Sequence, residues 1–262
     1  MRAASLLYHD VVAPGQYSDS GFSGSDADVY KLHVADFEDH LRALSEVLSS
    51  TQPTGIDLLE QGADREACLF HFDDGGMSAH SIIATRLEDY GWRGHFYIVT
   101  DKIGEPGFMG ADEICDLHRR GHIIGTHSRS HPIPISKLSY DEVALEWSES
   151  ASVLSDLLGE RCRVASIPGG FMADYIIGAA RAAGLELVFN SEPEVRAQWR
   201  EGCLVMGRYN IQQKTPANVA KALASGSKLP RLQQWGTWNT KKVLKRVGGK
   251  YWFTARKYLL SR

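Results

Sequence analysis

The sequence predicts an α/β protein, a closed or nearly closed β/α barrel of about seven parallel strands. Three observations support this fold class. The chain has 262 residues, a length typical of one large barrel or layered α/β domain, or of two small ones. Short apolar runs alternate with segments of helical periodicity, the pattern of parallel strands joined by right-handed crossovers. Seven or eight such units follow one another, which favours a barrel over an open sheet.

The predicted strands are short apolar runs followed by polar residues. The first, at residues 3–8, precedes a stretch at 11–28 that is rich in glycine, serine and aspartate and is predicted to be loop. The other strands are predicted at residues 68–72, 95–99, 122–126, 164–167, 186–190 and 204–211. In barrels of this type the functional residues lie at the carboxyl ends of the strands, so the polar residues there are the first candidates for a site.

Helices are predicted from the spacing of apolar residues and from capping signals. They cover residues 36–49, 79–90, 111–120, 140–158, 174–183 and a segment that begins at Thr215 and Pro216. The clearest start is the capping box of Ser139 and Glu142, which precedes the fourth of these helices. We assign residues 1–225 to the barrel and residues 226–262 to a basic, aromatic C-terminal tail.

The composition is that of an ordinary globular protein, with an apolar fraction of 43%. No apolar run approaches the roughly 18–20 residues that span a bilayer. The first ten residues lack the apolar run of about 7–15 residues found in secretory signals, so we expect a cytoplasmic location. The four cysteines are far apart and form no Cys-x-x-Cys pair, so we expect reduced thiols.

Two adjacent carboxylates, Asp73 and Asp74, follow the predicted strand at 68–72 in the run FHFDDGG. A buried pair of like charges is costly unless something compensates it. Successive residues of a strand point in opposite directions, so the two acids are expected to take different roles. Gly75 and Gly76 then allow a sharp turn without Cβ atoms in the way.

A pair of histidines, His127 and His131, follows the strand at 122–126. On one turn of helix, residues four apart project from the same face and can hold one metal ion. Zinc and similar ions favour two histidines and one carboxylate, with a position left open, and one aspartate of the 73–74 pair would complete that set. An isolated His-x-x-x-His is more often a surface coincidence, and an isolated Asp-Asp-Gly is more often a turn. Both together, each after a strand, favour a metal site, and zinc is the expected ion.

These residues resemble motifs of the polysaccharide deacetylase family of carbohydrate esterases, which share the NodB-homology domain. The matching segments are HFDDG at 71–75, HSRSH at 127–131, the Pro-Gly-Gly of SIPGG at 166–170, and LLYHDVV at 6–12. The resemblance runs from about residue 6 to residue 225. The first two motifs are specific, and the other two are suggestive.

The resemblance implies a distorted (β/α) barrel and metal-dependent removal of an N-acetyl group from a sugar. Carried over by position, Asp73 is the general base, and Asp74, His127 and His131 hold the ion. The Pro-Gly-Gly segment is implied in substrate binding, through Pro168, Gly169 and Gly170. The ion polarises the acetyl carbonyl and activates a water molecule, and a general acid protonates the departing amine.

The sequence departs from the family pattern at two points. The third motif commonly carries an arginine that pairs with the catalytic aspartate, but Ser166 stands at that position, which predicts that Asp73 lacks a cationic neighbour. The late Leu-x-His motif, the usual source of the general acid, has no counterpart. The opening Tyr8-His9-Asp10 is similar to that of deacetylases of biofilm poly-N-acetylglucosamine, where this histidine supplies the acid. His9 is therefore the candidate general acid, and the alternative is a histidine that only caps a strand by hydrogen bonding.

Charge is distributed unevenly along the chain. Residues 1–201 contain 16 basic and all 32 acidic residues, while residues 208–262 contain 13 Lys or Arg. A solvated basic face is one interpretation of the tail, and nucleic acid is not favoured because no nucleic-acid-binding fold accompanies the charge. The mixture of aromatic and basic residues from 235 to 262 favours an anionic membrane surface. We expect peripheral contact with the inner face of the membrane, near a lipid-linked glycan.

The leading hypothesis is a metal-dependent deacetylase that acts on an N-acetylated amino sugar of a bacterial surface polysaccharide or its precursor. One alternative is a weak or inactive carbohydrate-binding relative that retains the metal site. Another is a metal-dependent amidohydrolase that acts on a non-sugar amide. A two-carboxylate glycosidase is disfavoured because adjacent acids cannot flank a glycosidic bond at a separation of at least about 5 Å. Substrate choice is expected to depend on the loop at 11–30 and on residues 171–175.

Overall fold

The computed structural model describes residues 1–62, 66–170 and 172–240. Its main sheet has the strand order β11-β1-β4-β5-β6-β7-β8-β10-β9, and only β9 is antiparallel to its neighbour. The strands of this sheet are β1 (Ala3–Tyr8), β4 (Ala67–Phe72), β5 (Gly94–Ile98), β6 (Ile123–Thr126), β7 (Val164–Ser166), β8 (Leu187–Phe189), β9 (Gln198–Arg200), β10 (Cys203–Met206) and β11 (Tyr209–Asn210). Two short strands, β2 (Val11–Val12) and β3 (Leu32–His33), pair separately. The predicted α/β fold class is confirmed.

The sheet curves into a distorted barrel. The rings of His71 on β4 and Phe189 on β8 lie 4.4 Å apart, although three strands separate β4 from β8 in the sheet. Such a contact requires that the two strands face each other across an interior. An antiparallel bridge between Arg2 and Arg196 joins the start of β1 to the chain that leads into β9. The interior is filled by side chains that include His71, His95 and Tyr97, all buried, so the two strand histidines are part of the core.

Helices surround the sheet, most of them on its outer face, but the one at Gly55–Gln61 packs against the interior side chains His95 and Leu187. They span Ser25–Asp28, Val34–Ser45, Gly55–Gln61, Ala84–Glu88, Ala111–Arg119, Tyr140–Leu158, Asp174–Ala182 and Ala217–Ala224, and a π-helical turn at Ala79–Ile83 leads into the fourth of these. The Ser139–Glu142 capping box is present, with the Ser139 side chain accepting from the Glu142 backbone N–H. The helix at Gly55–Gln61 was not predicted, although Thr54 and Asp57 form a second capping box.

The predicted strand at 204–211 is interrupted. It ends at Met206 and resumes as β11 at Tyr209, so Gly207 and Arg208 form a break between two strands. A Cβ atom on Gly207 would lie 2.0 Å from the Glu192 carbonyl oxygen, so the chain passes too close for any other residue. The apolar pattern of this segment did not reveal the break.

Residues 228–240 form a further helix at the start of the predicted tail. The Arg231 side chain donates to the Leu223 carbonyl oxygen at 3.0 Å, and Gln234 bonds the backbone of Asn210 on the edge strand β11. This part of the tail is therefore attached to the barrel, while residues 241–262 lie outside the described residues. The division at residue 225 stays a prediction. Within the described chain, no helix combines the length and the apolar character needed to cross a membrane.

Candidate metal centre and active site

The carboxyl ends of β1, β4, β6 and β7 bring the predicted clusters to one rim of the barrel. Ser166 at the end of β7 contacts both Asp73 and His127, and His127 in turn faces Asp74. His9, after β1, lies close enough to act on both aspartates in the direction that lowers the pKa, although burial keeps the pKa of Asp74 raised overall. The structure therefore places together all five residues that were predicted for catalysis and metal binding.

Asp74, His127 and His131 form a set of potential metal ligands. One oxygen of Asp74 lies 3.5 Å from the Nε2 atom of each histidine, and all three ligand atoms lie within 4.8 Å of one another. Two atoms bound at about 2.0–2.1 Å to a tetrahedral ion are roughly 3.4 Å apart, so the observed spacing fits one cation. The donor set of two imidazoles and one carboxylate suits zinc and similar divalent ions.

Hydrogen bonding and burial prepare His127 to act as a ligand. Its Nδ1 atom donates to the Ser166 carbonyl oxygen at 2.8 Å, which leaves Nε2 directed at Asp74. Burial lowers the pKa of His127, and of His131, to about 4. Both rings are therefore neutral near pH 7, the state in which imidazole binds a metal.

The two histidines lie on a loop, so the prediction that they share one turn of helix was wrong. Ser128 and His131 have positive φ values of 68° and 59°. The Ser128 hydroxyl accepts from the His131 backbone N–H at 3.0 Å, and Glu146 accepts from both the N–H and the hydroxyl of Ser130. These bonds stabilise the bend and bring the two rings to a centroid separation of 4.9 Å.

The turn after β4 positions the two aspartates. Asp74 has φ 78° and Gly75 has φ 81°, a left-handed conformation that is costly for a non-glycine residue. Burial raises the pKa of Asp74, and the nearby Asp73 and Asp10 raise it further, while His9 and His127 lower it. A divalent cation would offset the cost of this buried carboxylate.

Asp10 packs against the turn that carries Asp73 and Asp74. Its carboxylate accepts from the hydroxyls of Ser20 at 2.5 Å and Ser78 at 2.8 Å. Gly76 packs directly against it, because a Cβ atom there would lie 2.0 Å from an Asp10 oxygen. The second glycine of FHFDDGG is therefore required by close packing, whereas the left-handed turn itself involves Gly75.

Asp73 has a cationic partner, so the prediction that it lacks one was wrong. The guanidinium of Arg208, from the break between β10 and β11, donates to Oδ1 at 2.7 Å and to Oδ2 at 2.9 Å. It also donates at 2.8 Å to the Ser166 hydroxyl, which in turn donates to Asp73 at 3.1 Å. Ser166 stands where the family motif has arginine, and Arg208, from the break between β10 and β11, supplies the guanidinium that pairs with Asp73.

This pairing determines the ionisation of Asp73. Burial alone would raise its pKa, but Arg208, with help from His127 and His9, lowers it well below the usual range. Arg208 itself is fully buried, and its Nε donates to the Asn190 carbonyl oxygen at 2.9 Å. The only sequence signal for this residue was an arginine inside an apolar run at the end of the barrel, where an unpaired charge would not be tolerated.

His9 is held at the rim by an aromatic contact. Its ring stacks on Tyr30 with centroids 4.6 Å apart. Its Nδ1 atom is buried and has no hydrogen-bond partner among the described residues. This arrangement does not fit a histidine that caps a strand through that nitrogen, and the role of His9 as general acid stays a prediction.

The loop between β2 and β3 forms one wall of the site. Phe22 stacks on His131 with centroids 5.0 Å apart. Lys31 is buried at the base of the loop, where its ammonium group donates to the carbonyl oxygens of Tyr17 and Ser20. The loop therefore lies against the site, where Phe22 contacts His131 and Tyr30 contacts His9.

The Pro-Gly-Gly segment forms a turn directly after β7. Gly169 is exposed and Gly170 is buried, and both have positive φ values, 67° and 71°. A Cβ atom on Gly170 would lie 2.2 Å from the Ser191 hydroxyl. The turn follows Ser166 at the rim, and its role in substrate binding stays a prediction. Phe171 lies outside the described residues.

Comparisons with known proteins bear on the family and on the fold. Residues 60–188 match the sequence model of the polysaccharide deacetylase family. A Streptococcus pyogenes deacetylase, PplD, solved in complex with acetate, superposes with a TM-score of 0.68 at 15% identity, covering 83% of this chain and 96% of that one. IcaB from Ammonifex degensii gives a TM-score of 0.68 at 18% identity, with 86% and 97% covered. A de-N-acetylase from Aggregatibacter actinomycetemcomitans gives 0.67 at 17% identity, with 85% and 100% covered.

A curated relative is similar over a shorter segment. A gellan lyase from a Bacillus species is 25% identical over 118 residues, which are 43% of this chain but only 5% of that protein. The structural likenesses, all at low identity, show the fold, and the match over residues 60–188 confirms the resemblance on which the site was predicted.

Proposed function

Since residues 60–188 belong to the polysaccharide deacetylase family, we propose that the protein is a metal-dependent hydrolase that removes an N-acetyl group from an amino sugar of a bacterial surface polysaccharide or its precursor. The family supports deacetylation of a polysaccharide. The observation that carries the finer proposal is the convergence of Asp74, His127 and His131 beside the paired Asp73.

The proposed cofactor is a zinc ion held by Asp74, His127 and His131. Their spacing, the neutral imidazoles and the buried carboxylate fit a divalent cation of this kind. When bound, such an ion acts as a Lewis acid toward the acetyl carbonyl and makes a nearby water molecule more acidic.

Asp73 is proposed as the general base. Its Oδ2 atom lies 3.8 Å from the His127 Nε2 atom, so the carboxylate stands next to the ligand set without belonging to it. Arg208 keeps it ionised and fixes both oxygens in place, which suits a group that takes a proton from the attacking water.

His9 is proposed as the general acid that protonates the departing amine. Stacking on Tyr30 fixes the plane of the imidazole at the rim, on the β1 side of the aspartates. The Pro168–Gly170 turn and the Phe22 wall are proposed to bind the sugar, because an exposed glycine allows close approach and aromatic faces suit sugar rings. Because His9 is proposed to act on the leaving amine and not to bind the sugar, its loss should slow departure of the amine more than it weakens substrate binding.

Acetate release from N-acetylated oligosaccharides tests the proposal. The purified protein should contain about one zinc per chain and release acetate, and chelation should stop the reaction. Asp73→Asn should abolish release while the metal is retained, and Asp74→Asn should lose the metal. If no acetylated glycan is turned over but glycans still bind, the protein is a carbohydrate-binding relative. Turnover of a cyclic amide alone would point to the amidohydrolase alternative.

A cytoplasmic location with peripheral contact at the inner membrane face is part of the same proposal. Support comes from the basic and aromatic composition of the tail, most of which lies at residues 241–262, outside the described residues. Cell fractionation that recovers the native protein only in the soluble fraction at low salt would contradict it.

A further inference from the structure

The helix at residues 228–240 is attached to the barrel through polar side chains on one side. Arg231 pairs with Glu66, and its guanidinium lies 5.6 Å from the centre of the Tyr209 ring. Gln234 accepts from the Asn210 N–H at 3.1 Å and donates to the Asn210 carbonyl oxygen at 3.0 Å. These contacts close the edge of β11 and fix which side of the helix faces the protein.

The exposed part of this helix carries an apolar strip, defined here as Leu229, Leu232 and Trp235. Their spacing of three residues places them along one side, and they are 67%, 62% and 48% exposed. The remaining exposed large apolar residues of the described chain are scattered from Met1 to Trp199. Clustered exposure of this kind on a fixed helix marks an interaction surface.

The composition of the sequence that carries the strip favours an anionic partner, and eight of its ten cations belong to residues 241–262, outside the described residues. Residues 228–262 contain ten Lys or Arg and no Asp or Glu, whereas residues 1–201 carry a net charge of −16. An anionic surface would attract the C-terminal part of the molecule and repel the rest, so the protein would approach it in one orientation.

We propose that the apolar strip seats the protein on an anionic lipid bilayer. Leucine and tryptophan side chains gain from burial at the boundary between headgroups and acyl chains, and the basic composition of the C-terminal sequence favours anionic headgroups. A nucleic acid would satisfy the charge but offers an exposed leucine pair nothing to bury against. This inference rests on the proposed membrane contact and adds the surface that makes it; it does not depend on catalysis.

The direction of the helix relates this seat to the active site. Arg231 reaches Glu66, just before β4 begins, and Gln234 reaches Asn210, one residue beyond Tyr209 on β11. The helix therefore runs from the amino ends of the strands toward their carboxyl ends, the end at which the catalytic rim lies. A protein seated on this strip would have its active site beside the bilayer surface, within reach of a lipid-linked glycan.

Vesicle sedimentation with the full chain tests the seat. Wild-type protein should sediment with phosphatidylcholine–phosphatidylglycerol vesicles and stay in the supernatant with pure phosphatidylcholine. The double variant Leu229→Gln/Leu232→Gln should weaken partitioning about tenfold, because two exposed leucines no longer enter the interface. A matched control, Leu145→Gln/Val153→Gln, removes similarly exposed apolar residues from the helix at Tyr140–Leu158 and should bind as wild type does.

Two results would overturn the proposal: wild-type protein that ignores anionic vesicles, and a Leu229→Gln/Leu232→Gln variant that binds them as well as the control. Binding to duplex DNA with no binding to vesicles would assign the surface to nucleic acid and would also overturn it. The variant should still release acetate from a soluble oligosaccharide at the wild-type rate. Vesicle sedimentation therefore tests the membrane-binding surface, and acetate release tests the deacetylase assignment independently.

Discussion

Replacing Arg208 with glutamine tests how the barrel maintains a charged base in its interior. Arg208 is fully buried and makes four hydrogen bonds, two to Asp73 and one each to Ser166 and Asn190. Glutamine keeps an amide donor but loses the charge. The variant leaves the Asp73 carboxylate buried without its main compensating charge.

The structure sets the size of the effect. Removing one partner of a buried ion pair costs about 3–5 kcal/mol, which for a chain of this size lowers the melting temperature by roughly 6–20 °C. Burial already acts to raise the pKa of Asp73, and in the absence of Arg208 this effect is no longer outweighed. The pKa of Asp73 should therefore rise, and the acid limb of the rate–pH profile should move to higher pH.

Thermal denaturation and the pH dependence of acetate release measure the two effects separately. Arg163→Gln is the matched control, because Arg163 pairs with Glu60 and Glu186 at a half-exposed position and should contribute at most about 1 kcal/mol. The reasoning about the site fails if Arg208→Gln has the same melting temperature as Arg163→Gln and the acid limb of its rate–pH profile does not move. The guanidinium would then not control the ionisation of Asp73.

Three further predictions concern neighbouring positions. Asp74→Asn should lower zinc content below one ion per chain, measured by elemental analysis, with little change in circular dichroism, because only the ligand charge is removed. Gly76→Ala should cost about 1–3 kcal/mol by overpacking against Asp10, while Gly178→Ala, in an open helical position, should be neutral or stabilising in denaturant titration. Burial lowers the pKa of His95 to about 4, below the usual value of about 6.5. His95 therefore binds a proton more tightly in the unfolded chain than in the folded one. Its contribution to the free energy of unfolding should be full above pH 6.5 and should fall as the pH drops toward 4. The variant His95→Asn should show a weaker dependence of the free energy of unfolding on pH in this range.

The parts of the fold that were predicted correctly are those set by local sequence. The strand at Ala3–Tyr8 and the helix at Tyr140–Leu158 have the predicted bounds, because an unbroken apolar run and a capping box are each read from a few neighbouring residues. The helix at Gly55–Gln61 was missed because it is short and buries only Gly55 and Leu58, which is too few apolar positions to show a helical period.

The site was predicted as a set of residues but not in its geometry. His127 and His131 do converge on Asp74, yet they do so through a strained loop held by Ser128 and Glu146. Spacing of four residues is compatible with a helix turn and with such a loop, and only the contacts with a distant helix decide between them. Local periodicity therefore cannot supply the backbone conformation of a metal-binding loop.

The arginine that pairs with Asp73 could not be identified from local sequence either, and its position suggests a last test. The guanidinium that pairs with Asp73 belongs to Arg208, and it also donates to the Ser166 hydroxyl at 2.8 Å. The side chain at position 166 therefore lies next to the place where Asp73 needs a positive charge. Exchanging the two residues should therefore preserve the interaction. We expect Ser166→Arg alone to crowd the site with a second charge, Arg208→Ser alone to leave Asp73 unpaired, and the double variant to recover much of the melting temperature and acid limb that either single variant loses. A double-mutant cycle measures this coupling. Losses that simply add would show that the position from which the arginine reaches Asp73 matters beyond the charge that it delivers.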